Sequence, residues 1–265
     1  MRTFFCLCGM ILLTLCLAGQ SFAGDYANLR FIGFSNDGKY LAFEEWGEGD
    51  PGGWYSTTYF VDVDKNSFAI APLALTDDEG TKSLSALRRK GEILAAKTLR
   101  KLKIVPGNTG RLLAAHLLTD WTYDDSFFNG GGGDKVKFNG YLNPNSPNQY
   151  EFYELTLKTV ADEKAECSNR TDYGVNKFEL VLNYTASTPT NSYSQILQKD
   201  SILPARRNCP YGYRIESVYF YQDDKIIVFL NVFSHGFEGP DMRYMVVTAS
   251  MDYETWGFDY FKKPK

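Results

Sequence analysis

Gly33-Phe34-Ser35-Asn36-Asp37-Gly38-Lys39-Tyr40-Leu41-Ala42-Phe43 is the stretch whose reading decides the fold. An apolar run, Leu29 to Phe34, enters a tight turn, Ser35 to Gly38, and a second run, Lys39 to Trp46, leaves it. Asp-Gly between two apolar runs is a strong hairpin signal, because glycine takes a positive φ without steric cost. The loop Gly47 to Gly53 then leads to a third strand, Ser56 to Val63.

The same plan recurs near the C-terminus. Glu216 to Tyr221 reads as a strand, Gln222-Asp223-Asp224 as a turn and Lys225 to Val232 as the return strand. A Gly/Pro loop, Gly236 to Asp241, precedes a third strand, Arg243 to Ser250. Aligning Asp37 with Asp223 sets Lys39 on Lys225, Leu41 on Ile227 and Phe43 on Phe229; Tyr59 then meets Tyr244 with a one-residue offset. Two related three-strand units are therefore expected, sharing a sheet or facing each other across one core, since a lone hairpin cannot bury such a stripe stably. The hairpin phrase resembles a β-propeller blade. Only two copies are visible, however, and a propeller needs at least about four blades.

Between the units lies one long amphipathic helix. Thr76 and Glu79 have capping-box spacing and are expected to start it. Leu84, Leu87, Gly91, Leu94, Thr98 and Leu102 recur at helical spacing as its inward face. Arg89, Lys90, Lys97, Arg100, Lys101 and Lys103 gather away from that face, with Glu92 the one acid among them. A solvated basic side is the plain reading; an anionic partner, phospholipid headgroups or an acidic polymer, is the functional one. Arg111 to Leu118 reads as a strand or short helix and the run Gly130 to Gly133 as a loop. Lys135 to Gly140, Gln149 to Thr159 and Phe178 to Tyr184 read as strands, and Ser187 to Ser192 as a polar loop. The fold class is α+β, mainly antiparallel β. Aromatic content of 15% supports the sheet bias.

The first residues fix the route. Arg2 precedes an apolar stretch, Phe4 to Ala18, and Ser21-Phe22-Ala23 has the small-x-small form of a cleavage site. The stretch is short of the roughly 20 apolar residues of a spanning helix. Residues 1–23 are expected to leave as a signal peptide, with no transmembrane anchor remaining and 24–265 forming one secreted globular domain. Leu15 before Cys16 is too large for a lipidation site. Of five cysteines, Cys167 and Cys209 remain after cleavage and are expected to pair. That bridge closes a loop of about 43 residues, worth roughly 4 kcal/mol in the chain-entropy model. The charge of −4 becomes −5 once Arg2 is lost, which argues against a nucleic-acid partner.

The string Gly33 to Gly47, the early helix and Cys209-Pro210-Tyr211-Gly212-Tyr213-Arg214-Ile215 together resemble a family of secreted bacterial proteins classed as a domain of unknown function. The resemblance implies export to the periplasm or beyond, and it carries no activity, cofactor or catalytic residue.

Motifs for chemistry are sparse. Glu44 and Glu45 are strand neighbours and point to opposite faces. Glu44 with Glu48 or Asp50 is the better carboxylate pair for a cell-envelope hydrolase, whose two groups must stand roughly 5 to 10 Å apart. Asp124-Asp125 and Asn129 to Asp134 lack the fixed spacing of an EF-hand. No G-x-S-x-G elbow, G-x-G-x-x-G or P-loop occurs, and with only His116 and His235 a zinc site is not expected. No catalytic residue, metal or cofactor is therefore assigned. The reading that fits is a non-catalytic periplasmic binding or interaction protein with an envelope partner. Its ligand residues are expected on the two hairpin loops: Trp46, Glu48, Asp50 and Trp54 on the first, His235 and Phe237 on the second. Aromatic faces beside carboxylates suit a hydroxyl-rich or mixed polar ligand.

Overall fold

The computed structural model describes residues 24–49, 52–116, 133–140, 151–165, 174–185, 192–204, 207–222, 224–236 and 239–251. Among these residues the chain is mostly antiparallel β with one helix, arranged as three sheets. The first sheet runs β1 (Asn28–Phe34), β2 (Tyr40–Gly49), β3 (Gly53–Asp62) and β4 (Ser67–Phe68), with β5 (Leu73–Asp77) also pairing β3. Helix α1 (Leu84–Lys101) and strand β6 (Arg111–Ala115) follow. The third sheet is formed by β7 (Asp134–Gly140), β8 (Glu151–Ala161), β9 (Asn176–Thr185) and β10 (Ser192–Lys199). The central sheet is β11 (Gly212–Tyr221), β12 (Lys225–His235) and β13 (Pro240–Ser250), and β6 joins its β11 edge.

Alternation along each strand sorts side chains into layers. From β12, Ile227 and Phe229 point to the first sheet and meet Leu41, Phe43 and Val61. Its intervening residues Ile226, Val228, Leu230 and Val232 point the other way, into a core with Tyr153, Leu155, Leu180 and Leu182 of the third sheet. Every residue from Ile226 to Ser234 is buried, the near-continuous apolar run expected of a strand covered on both faces. The far face of the first sheet, through Ile32, Ala42 and Phe60, packs on Ala95, Leu99 and Leu102 of the helix. The layers are thus helix, first sheet, central sheet, third sheet.

Strands β1 to β3 and β11 to β13 lie face to face across this middle core. The aligned residues Phe43 and Phe229 meet edge-on at 5.4 Å between ring centroids. At the hairpin turn, Tyr221 stacks on Phe34 at 4.3 Å and donates its hydroxyl to the Ser35 carbonyl at 3.2 Å. Gly38 holds φ at +70° in that turn, and Asp37 accepts from the Ser35 hydroxyl at 2.7 Å. Gly33 sits at a β-bulge with φ +147°, where a Cβ would come within 2.3 Å of the Val105 carbonyl. The chain leaving the helix needs that space, for it hydrogen-bonds to Phe34 on both sides.

Several expectations are corrected. The capping box does not form: Thr76 lies in β5, and the helix starts later, capped by the Ser83 hydroxyl, which accepts from the Ala86 amide. Asp77 instead closes the intervening turn, accepting from the Lys82 amide at 2.6 Å and the Thr81 hydroxyl at 2.9 Å. The inward line is Leu87, Gly91 and Ala95, which leaves Leu94 exposed. Loop Gly47 to Gly53 is largely strand, since β2 continues to Gly49 and β3 begins at Gly53; β12 likewise reaches His235 and β13 begins at Pro240. Residues 1–23, Cys167 and the turn at 143–148 lie outside the described residues.

If the middle core carries the fold, Phe229→Ala should cost about 3 to 5 kcal/mol in a urea titration. Phe152→Ala, on a half-exposed ring of β8, should cost less than about 1 kcal/mol.

Candidate functional site

Strand β2 places two neighbouring carboxylates in two different layers. Glu44 points toward the helix and is 2% exposed. Its oxygens accept from Arg88 twice at 2.9 Å and from the Ser56 hydroxyl at 3.1 Å, and pair with Arg30 at 2.8 Å. The Arg88 guanidinium in turn lies 3.5 Å from the centre of the Trp46 ring. A buried carboxylate repays its desolvation only with such full pairing. Glu44 therefore fastens helix to sheet, and its lone pairs are committed to that role rather than to a proton-transfer pair.

Glu45 points between the first and central sheets, where a cavity of about 850 Å³ opens. That volume falls in the range of small-molecule sites, roughly 300 to 1,000 Å³. One wall is aromatic: Phe43 stacks on Tyr59 at 4.6 Å, and Tyr59 leans on Phe68 at 5.5 Å. Arg243 of β13 lies over the Tyr55 ring at 4.9 Å. The far rim comes from Gln198, Asp200 and Arg207, the last held by Asp200 in a two-pronged ion pair over Phe178. Asn66 ties three sheets together at the rim, donating to Gln198 at 2.9 Å and accepting from the Thr248 amide at 2.9 Å.

The electrostatics of this cavity are set by burial. Desolvation pushes the Glu45 carboxyl up to about 7, against the pull of the Tyr244 amide and the Arg243 charge. The Tyr244 amide donates to Glu45 at 2.5 Å. Burial raises the hydroxyls of Tyr55, Tyr59 and Tyr244 well above the usual phenol range, with Glu45 adding to each shift. These groups therefore stay neutral and offer O–H donors at any physiological pH. The buried Tyr55 hydroxyl has no hydrogen-bond partner among the described residues. Glu216, on the central sheet, is likewise raised by burial and acts electrostatically on Tyr244.

The residues expected at the loops fall into separate places. Trp46, Glu48 and Trp54 share the helix-side face of the first hairpin, with Glu48 directly opposite Trp54 in the register. His235 ends β12 beside Tyr211, at 5.6 Å between ring centres. Asp50 and Phe237 lie outside the described residues. Sequence reasoning missed Glu45, Tyr55, Tyr59, Arg243 and Tyr244. The signal that could have found them is the alternation itself: Glu45, Tyr55, Thr57 and Tyr59 all fall on the face that also carries Leu41 and Phe43.

These layers define a mostly antiparallel β module with one helix and an interlayer cavity. The chain belongs to the family described as "Predicted secreted protein (DUF2259)", whose model matches residues 42–250, from within β2 to the end of β13. No curated protein and no solved structure matches it. Among the described residues no helix is long and apolar enough to cross a membrane.

Glu45 gives a pH signature of known sign. Its folded-state value lies above that of an unfolded carboxyl, so the native chain holds a proton that the unfolded chain releases. Stability from this group is complete below about 4.5 and is lost as pH rises to about 7, a change of about 3 kcal/mol. Urea midpoints at acid and mildly alkaline pH should therefore fall with rising pH. Glu45→Gln should remove most of that slope; Glu216, also raised by burial, adds to it, and the lowered carboxyls of Asp37, Asp77 and Glu179 oppose it at acid pH.

Proposed function

We propose that this secreted protein is a non-catalytic binding protein of the periplasm or cell envelope, exported by a signal peptide over residues 1–23. Its site is the interlayer cavity, and its ligand is a neutral, hydroxyl-rich molecule of about disaccharide size. The observation that carries this reading is the cavity lining. Tyr55 and Tyr59 offer ring faces for stacking, while Glu45, Thr57, Asn66 and Arg243 offer donors and acceptors around them. Sugars need both, because their C–H faces are apolar and their rims are hydroxyls.

The shared cores support one domain over residues 24–265, with the two three-strand units as a structural repeat whose aligned phenylalanines touch. The Cys167–Cys209 bridge belongs to the same reading, since these are the two cysteines that remain once residues 1–23 are removed. Alkylation of the native exported protein should modify neither cysteine, as read by mass; two added alkyl groups would refute the pairing.

Binding is tested with a panel of neutral mono- and disaccharides read by thermal shift, which rises by mass action when a ligand binds only the folded state. At least one member should raise the midpoint of the mature protein. Thr57→Trp, which fills the cavity opposite Glu45, should abolish that response. Loss of the response in Trp54→Ala, with Thr57→Trp unaffected, assigns the ligand to the tryptophan face at the end of the first hairpin instead. No response from any member sinks the saccharide reading.

A further inference from the structure

Helix α1 presents a second surface that the cavity does not use. Its inward line is Leu87, Gly91 and Ala95. Successive residues turn by about 100° around the axis, so Ile93 lies near the middle of the opposite, outward arc. Ile93 is 68% exposed and its neighbour Leu94 47%. Arg89 and Lys90 lie one turn before Ile93, and Lys97 and Arg100 lie one and two turns after it. Lys101 follows Leu94 by two turns on the same side. All five bases are exposed, and among the described residues no ion pair or hydrogen bond engages their side chains. Glu92, the one acid of the helix, is taken by Arg30 at 2.6 Å. A strongly basic face on a chain of net charge −4 is a local concentration, not a reflection of composition.

We infer that the outward face of α1 docks the protein on an anionic phospholipid bilayer. Charge complementarity selects an anionic partner, since each Lys or Arg near such a surface adds to the attraction. The two large apolar side chains select a bilayer among anionic partners. An acidic polymer contacts only the bases, whereas Ile93 and Leu94 gain by entering the boundary between headgroups and acyl chains. The helix can present this face rigidly because its other side is fixed by the Ile32–Ala42–Phe60 layer and by the Arg88–Glu44 pair. A secreted chain passes beside a membrane on its route, so the partner is within reach.

The test is co-sedimentation of the mature protein with two kinds of vesicle, pure phosphatidylcholine and phosphatidylcholine with about one third phosphatidylglycerol. Binding to the anionic vesicles alone, reversed by added salt, is expected. Lys97→Glu with Arg100→Glu should abolish it. Ile93→Ser with Leu94→Ser should weaken it by roughly tenfold or more. Both positions are on the surface, so circular dichroism should show the double variants folded. Equal sedimentation with both vesicles, or with neither, overturns the proposal. Vesicle binding that the Ile93→Ser, Leu94→Ser variant retains in full also overturns it. Tight binding to soluble polyphosphate without vesicle binding assigns the face to an acidic polymer, and a concentration-dependent dimer without vesicle binding assigns it to a second copy; either result excludes the bilayer.

Discussion

Neither face of β12 meets water. Ile227 and Phe229 enter one core while Ile226, Val228, Leu230 and Val232 enter another, so a single strand is the shared wall of two hydrophobic layers. The rest of the architecture depends on that arrangement. The first and third sheets each need a partner face, because an antiparallel sheet with one apolar side must cover it. The central sheet offers two such faces, and its hairpins set the spacing at which the other layers stack. Where the aromatic packing between the first and central sheets gives out, beyond Phe43 and Tyr59, the gap becomes the cavity.

Strand β2 then decides which chemistry goes where. Its alternation sends Glu44 outward to the helix and Glu45 inward to the cavity. The two carboxylates are adjacent in sequence yet meet opposite fates. Glu44 is compensated by two guanidinium groups and becomes a structural anchor. Glu45 has one backbone donor and a nearby arginine charge, so burial dominates and its proton is held to about neutral pH. A carboxyl poised there can donate or accept as its partner requires, which suits a binding cavity for hydroxyl groups.

Much of the fold was legible because turn chemistry is local. Asp37-Gly38 and Asp223-Asp224 mark hairpins whatever surrounds them, and the strands beside them, β1 to β3 and β11 to β13, follow. What was illegible depended on partners distant in the chain. Thr76 and Glu79 satisfy the local rule for a helix start, yet pairing of Thr76 with Tyr55 in a sheet wins. Leu94 satisfies helical spacing, yet the smaller Ala95 faces the sheet instead, with Ile104 and Leu99 packed beside it. Strand β10 escaped notice because it is an edge strand in which Tyr193, Ile196 and Leu197 are interspersed among Ser, Gln and Lys. For the site, the aromatic and acidic residues at the end of the first hairpin stand out in the sequence. The cavity face is harder to see, since Glu45, Tyr55 and Tyr59 lie on strands rather than on loops.

The account rests most heavily on the central sheet being covered on both sides, and hydrogen exchange resolved by residue tests that claim directly. Amides buried in a doubly covered strand open only with global unfolding, whereas those of edge strands open locally. The amides of Ile226 to Phe233 should be the slowest in the protein, slower than those of edge strands β1 and β10. Exchange of β12 at the rate of β10 would contradict the layered arrangement and, with it, the position of the cavity.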